Sequence, residues 1–215
     1  MSHAEFEQEY LANFVTFEGQ IWAFKNECIL DLRHLREEVL SAPHRYDIIA
    51  GLDLGFRDPT AFCVILVLPN SSGQNEYYIL EEHFEAARGT DRHAEIIFDM
   101  LQKYEIDYVF ADSAAAQSRY DLAAIYDIPT IGAIKSRNDG IGAVGAVVDH
   151  DRLFIHDECV ESIYAVRNYR WKGDVNEGVW NIEQQKPQHD RASHMADAIR
   201  YAIYSYEQTM GGILG

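Results

Sequence analysis

Two short apolar runs in this chain each stop on an aspartate. Ile48-Ile49-Ala50-Gly51-Leu52 leads into Asp53, and Tyr108-Val109-Phe110-Ala111 leads into Asp112. Runs this short and apolar, with no polar alternation, read as central strands covered on both faces. A carboxylate at the end of such a strand is costly unless its charge is compensated. A third acid, Asp197, falls in His194-Met195-Ala196-Asp197-Ala198-Ile199-Arg200-Tyr201, a segment with helical spacing. Acids converging from separate elements are the usual cradle of a divalent cation.

The rest of the chain supplies the elements such a site needs. Residues 46–54, 60–68 and 76–85 are expected strands, with turns at Asp58-Pro59 and Asn70-Ser71-Ser72-Gly73, and together they form an antiparallel meander. Helices are expected over 91–104, 117–126, 139–150, 158–168 and 192–207, alternating with strands over 107–112, 129–134 and 152–156. Residues 169–182 read as a hairpin around Asn176-Glu177-Gly178, with Trp171 and Trp180 paired across it. The order predicts an α/β fold with a mixed sheet flanked by helices and an accessory β-hairpin. In open sheets, ligands sit beyond the carboxyl ends of the central strands. Asp53 and Asp112 meet there if their strands are parallel neighbours.

Residues 1–45 differ from the rest: they are helix-prone and rich in Glu, Leu and aromatics. Proline disfavours helix at the residue before it, so Ser41-Ala42-Pro43-His44 marks a boundary. The expected organisation is a helical linker over 1–45 and one domain over 46–215.

Composition narrows the classes. No apolar run approaches the roughly 20 residues that span a bilayer. The acidic start Met1-Ser2-His3-Ala4-Glu5-Phe6-Glu7 has no apolar signal core. Cys28, Cys63 and Cys159 have no zinc spacing and suggest reduced thiols in a cytosolic setting. A net charge of −17 argues against a free-standing nucleic-acid binder with a basic surface. Acids that hold metal ions supply part of that charge, and bound cations reverse the local field.

Phosphodiester hydrolysis needs an activated water and a stabilised leaving oxygen, and two metal ions about 3.5–4 Å apart serve both. Asp53, Asp112 and Asp197 come from two strands and a helix, as that chemistry requires. His194 lies one turn before Asp197, placed to be a further ligand or to orient water. A plainer reading stands beside this one. Strand-end aspartates are often turn or cap residues. His194, Asp197 and Tyr201 lie opposite the apolar stripe Met195, Ile199, Ala202 and Tyr206, as a solvated helix face would. Asp58 reads as a turn residue and Asp190 as a helix cap. His83, His93, His150, His156 and His189 show no ligand spacing.

Local wording adds a resemblance. Gly51-Leu52-Asp53-Leu54-Gly55-Phe56-Arg57-Asp58-Pro59-Thr60-Ala61 resembles the first-strand motif of the nuclease domain in phage large terminase subunits. Ala111-Asp112-Ser113-Ala114 is similar to that family's second acidic motif. Ala133-Ile134-Lys135-Ser136 with Gly140-Ile141 resembles the basic strand-to-helix junction that follows it. His194 to Ala202 is similar to the closing helix. The motifs fall in order across residues 46–207.

The resemblance implies an RNase H-like fold and an endonuclease that uses two Mg²⁺ or Mn²⁺ ions to cut concatemeric viral DNA during packaging. Carried over by motif, Asp53 would bridge both ions, with Asp112 completing one site and Asp197 the other, and His194 beside it. Lys135 and Arg137 would meet DNA phosphates. The implied partners are double-stranded DNA, the terminase ATPase domain, the small terminase subunit and the portal protein, in the host cell cytoplasm. The family's ATPase carries Gly-x-x-x-x-Gly-Lys-Ser/Thr, which does not occur here. The expectation is therefore an excised C-terminal nuclease domain without ATP hydrolysis, residues 1–45 being the tail of the inter-domain segment. Two alternatives stay open: a Holliday-junction resolvase or transposase-like nuclease, and a docking and DNA-positioning module with little activity alone.

Overall fold

The computed structural model describes residues 19–55, 57–172 and 186–210. Within them, one sheet runs through the molecule. Its strands are β1 (Ile29–Leu30), β2 (Asp47–Asp53), β3 (Thr60–Pro69), β4 (Asn75–Glu85), β5 (Tyr108–Ala111), β6 (Ile131–Gly132) and β7 (Leu153–His156). Their spatial order is β1-β7-β4-β3-β2-β5-β6. The pairs β2/β3 and β3/β4 are antiparallel, while β2/β5, β5/β6, β4/β7 and β1/β7 are parallel. The expected meander and mixed sheet are both present.

Helices cover both faces. They are α1 (Arg33–Ser41), α2 (Thr90–Tyr104), α3 (Ala116–Tyr126), α4 (Arg137–Asp149), α5 (Val160–Asn168) and α6 (Arg191–Met210). The unbroken apolar character of β2 follows from this double cover. Ile48, Ala50 and Leu52 join one core with Ile97, Leu101 and Tyr104 of α2 and Leu122 of α3. Ile49 points into the other core, with Val144 of α4, Ile163 of α5 and Met195 and Ile199 of α6. Each face of the strand is dry, so no polar alternation is needed.

The approach of α6 to β2 is unusually close. A Cβ on Gly51 would stand 1.8 Å from the Ala198 carbonyl oxygen. Only a residue without a side chain lets the helix backbone lie directly on the strand. The far side of α6 rests on α4 and α5, so almost the whole helix is enclosed. The solvated-face reading of His194 and Asp197 therefore does not hold: His194 is 6% exposed.

Two expected elements differ. The strand over 129–134 shrinks to Ile131–Gly132, because it lies at the sheet edge and pairs only with β5. Residues 19–45 hold α1 but also β1, which extends the sheet through β7, and the fully buried Trp22. The Trp22 indole N–H donates to Ile141 O at 3.1 Å, and its ring lies 4.9 Å from that of Tyr169. The expected hairpin tip and Trp180 lie outside the described residues. At its base, Arg170 bridges Gln20 and Trp171 bridges Pro187.

A histidine pair, His93 buried and His83 half-buried, joins β4 to α2. His83 Nε2 lies 2.9 Å from His93 Nδ1, so one ring donates and the other accepts. Burial lowers both pKa values; for His83 the neighbouring His93 adds to it, and Arg88 and Arg92 push the same way against Glu85 and Asp91. A group with a depressed folded pKa contributes stability that is present above its unfolded value, about 6.5, and lost as pH falls toward the folded value. Melting temperature should therefore fall more steeply between pH 7 and 5 in the native chain than in His93→Gln. Equal slopes would show that this pair does not govern acid sensitivity.

Candidate active site

Asp53 closes β2, and Asp112 follows β5 directly. These strands are parallel neighbours with Leu52 opposite Ala111, so both carboxylates leave the sheet at the same end, side by side. Asp112 is shaped partly as a cap, its Oδ1 accepting from Ala114 N at 2.9 Å. Thr60 pins the loop after Asp53: its hydroxyl donates to Gly55 O at 2.9 Å and accepts from Gly55 N at 3.2 Å.

The close seat of α6 on Gly51 brings His194 and Asp197 over this end of the sheet. His194 Nδ1 lies 2.9 Å from Asp53 Oδ2. Burial pushes the Asp53 carboxyl above its ordinary range; the His194 bond opposes this, while the Asp197 and Asp112 charges reinforce it. The bond to Asp53 in turn raises His194 above 6.5. Asp53 thus feels three groups from two other parts of the fold, His194 and Asp197 on α6 and Asp112 after β5. The three acids do not come within 4.8 Å of one another as a set.

Asp197 has one strong partner. Arg200, 4% exposed, binds its Oδ1 through Nε at 3.1 Å and Nη2 at 2.8 Å. The two residues are three apart on α6, a spacing visible in the sequence but one that reads equally as a surface pair. A second group was also missed. Ligand atoms of Asp58, His189 and His194 lie within 4.8 Å of one another. His189 stands edge-on to His194 with centroids 5.0 Å apart, and its Nε2 is 3.6 Å from Asp58 Oδ2. Asp58 and His189 are far apart in sequence and carried no shared pattern. Asp190 is a helix cap, its Oδ1 accepting from Ala192 N at 2.9 Å and Ser193 N at 3.2 Å.

Lys135 and Arg137 sit at the junction of β6 and α4. Ala133 N donates to Ala111 O at 2.8 Å, and Ile134 N to Ser205 Oγ at 3.1 Å, so this junction is tied beside Asp112 and α6. Lys135 is exposed, and Arg137 opens α4 close enough to act on Tyr169 together with Asp197 and Arg200. Three half-buried carboxylates with an imidazole make an oxygen-rich, net-negative donor set. Such a set suits a hard divalent cation such as Mg²⁺ or Mn²⁺.

No family model matches the chain. Among curated proteins, the large terminase subunit of Escherichia phage T5 is 38% identical over 202 residues, which is 93% of this chain and 45% of that protein. The chain therefore spans less than half the length of this relative. The P22 large terminase nuclease domain superposes with a TM-score of 0.64 at 15% identity, covering 89% of this chain and 93% of that one. The nuclease domain of the SPP1 large terminase, solved with bound Mn, superposes with a TM-score of 0.59 at 24% identity, covering 79% and 91%. In sequence the chain is similar to the T5 large terminase subunit, and in fold, a mixed sheet flanked by helices, it is similar to the nuclease domains of the P22 and SPP1 large terminases.

Proposed function

We propose that this chain is a metal-dependent endodeoxyribonuclease that cuts concatemeric viral DNA during genome packaging. The observation that carries the reading is the convergence of Asp53, Asp112 and Asp197 at one end of the sheet, where α6 closes over two parallel strands. The likeness to terminase nuclease domains, one of them with bound Mn, points the same way. In this reading Asp53, Asp112 and Asp197 would hold the divalent ions, and His194 orients Asp53 through its 2.9 Å bond. When bound, the ions would supply an activated water and stabilise the leaving oxygen. Lys135 and Arg137 hold DNA phosphates beside the acids, which positions the backbone without reading sequence. His189 and Asp58 stand beside His194 and would extend the donor set.

The partners in this reading are double-stranded DNA, a terminase ATPase, the small terminase subunit and the portal, in the host cytoplasm. The phosphate-loop signature is absent from the 215 residues, so ATP hydrolysis is assigned elsewhere. Among the described residues, no helix is long and apolar enough to cross a membrane.

The test is cleavage of supercoiled plasmid, linear duplex and four-way junctions by this chain, with Mn²⁺, Mg²⁺ or EDTA. Nicking and linearisation of plasmid, lost in EDTA, is the expected result. Strong junction preference would replace the terminase reading with a resolvase. A folded chain that cuts nothing with either metal would leave a docking module.

A further inference from the structure

Arg200 is a puzzle as an ordinary helix pair. Exposed ion pairs three residues apart contribute a few tenths of a kcal/mol at best. This one is buried, and burying a guanidinium is expensive even when it is paired. A guanidinium does not lose its proton at any working pH, so this buried charge is permanent. Several features hold the side chain in one place. Its stem runs against Gly140 of α4, where an added Cβ would meet Arg200 Cγ at 3.0 Å and Cδ at 3.1 Å. Its guanidinium carbon lies 4.6 Å from the Tyr201 ring centroid. A guanidinium usually grips a carboxylate with two parallel bonds, one to each oxygen. Here Nε and Nη2 both land on Asp197 Oδ1. Neither bond uses Oδ2.

We propose that Arg200 is a positioning residue of this centre: it holds Asp197 by one oxygen so that the other faces Asp53, and as a fixed cation it competes with the divalent ion drawn to that acid. This rests on the metal-centre reading above. Two effects of opposite sign follow. The fixed charge would weaken cation binding at Asp197. The fixed orientation speeds turnover once the ion is in place. A merely structural Arg200 would change the melting temperature and neither of these.

The experiment is calorimetric titration of the 215-residue chain with Mn²⁺, beside single-turnover plasmid cleavage at saturating Mn²⁺. Arg200→Gln removes the charge, and Arg200→Lys keeps it but loses the fork; Asp53→Ala is the control. Arg200→Gln should bind Mn²⁺ about tenfold more tightly, since a unit charge a few ångströms away has been removed. At saturation it should cut about tenfold more slowly, because Asp197 is no longer held. Arg200→Lys should keep the native Mn²⁺ affinity within about twofold and also cut slowly. Unchanged or weaker Mn²⁺ binding in a folded Arg200→Gln overturns the proposal. If Arg200→Gln does not fold, Arg200→Lys decides: native cleavage at saturation overturns it, and slowed cleavage at native affinity supports it. A native chain whose Mn²⁺ binding matches that of Asp53→Ala removes the metal-centre reading itself, and the role of Arg200 with it.

Discussion

Asp53→Ala should lower metal-dependent plasmid cleavage by about 10³-fold or more while leaving the fold intact. Asp53 is the acid that both other carboxylates act upon, and it holds His194 at 2.9 Å. Burial raises the Asp53 pKa above the 3.8 of an unfolded chain, so above that pH the ionised group costs stability. Removing it relieves this cost and forfeits one hydrogen bond to His194, a loss of about 1–2 kcal/mol. The two changes oppose each other, and the melting temperature without metal should move by only a few degrees. Metal separates the proteins. At a Mn²⁺ concentration a hundred times its dissociation constant, the native chain gains about 2.7 kcal/mol. For a domain this size that raises its melting temperature by about 5–10 °C, and the variant should gain far less. Undiminished cutting by Asp53→Ala would remove this residue from the centre.

Gly51→Ala should be the most damaging single-methyl change in the sheet, costing about 3 kcal/mol or more. The added Cβ would stand 1.8 Å from the Ala198 carbonyl oxygen and 3.2 Å from the Ala202 Cβ. The obstacle is helix backbone, which cannot rotate aside as a side chain can. α6 must lift from β2, and it carries His194, Asp197 and Arg200 with it. The expected readouts are a fall of about 6–12 °C in melting temperature and a matching loss of Mn²⁺ binding. A thermal melt and a Mn²⁺ titration on the same sample test both. Native stability in Gly51→Ala would mean that the α6 backbone does not lie directly on Gly51. The variant complements Asp53→Ala: one should lose the chemistry and keep the fold, while the other loses the geometry through the fold.

Much of the fold was legible in the chain because local pattern and burial agreed. The unbroken apolar run of β2 announced a central strand, and Ile48 and Ile49 do face opposite cores. The alternation of helices and strands after residue 90 announced a mixed sheet. β1 escaped because two residues carry no period, and it exists only because β7 offers an edge. Trp22 escaped for a similar reason: its partner Ile141 lies 119 residues away. At the candidate site, Asp53 and Asp112 were legible as acids at the ends of apolar runs. His194 and Asp197 were ambiguous, since their helix positions lie opposite the apolar stripe.

The sequence by itself determined which residues carry the acids, which strands end on them and in what order the elements follow. Those properties depend on neighbours a few positions apart, where hydrophobic period and turn chemistry act. Only the tertiary structure decided that the polar side of α6 is enclosed rather than solvated. Only there does His194 meet Asp53, Arg200 spend its charge on one oxygen of Asp197, and His189 stand between Asp58 and His194. Electrostatic coupling acts through space over a few ångströms, so its partners are set by packing and leave no mark at any fixed spacing along the chain.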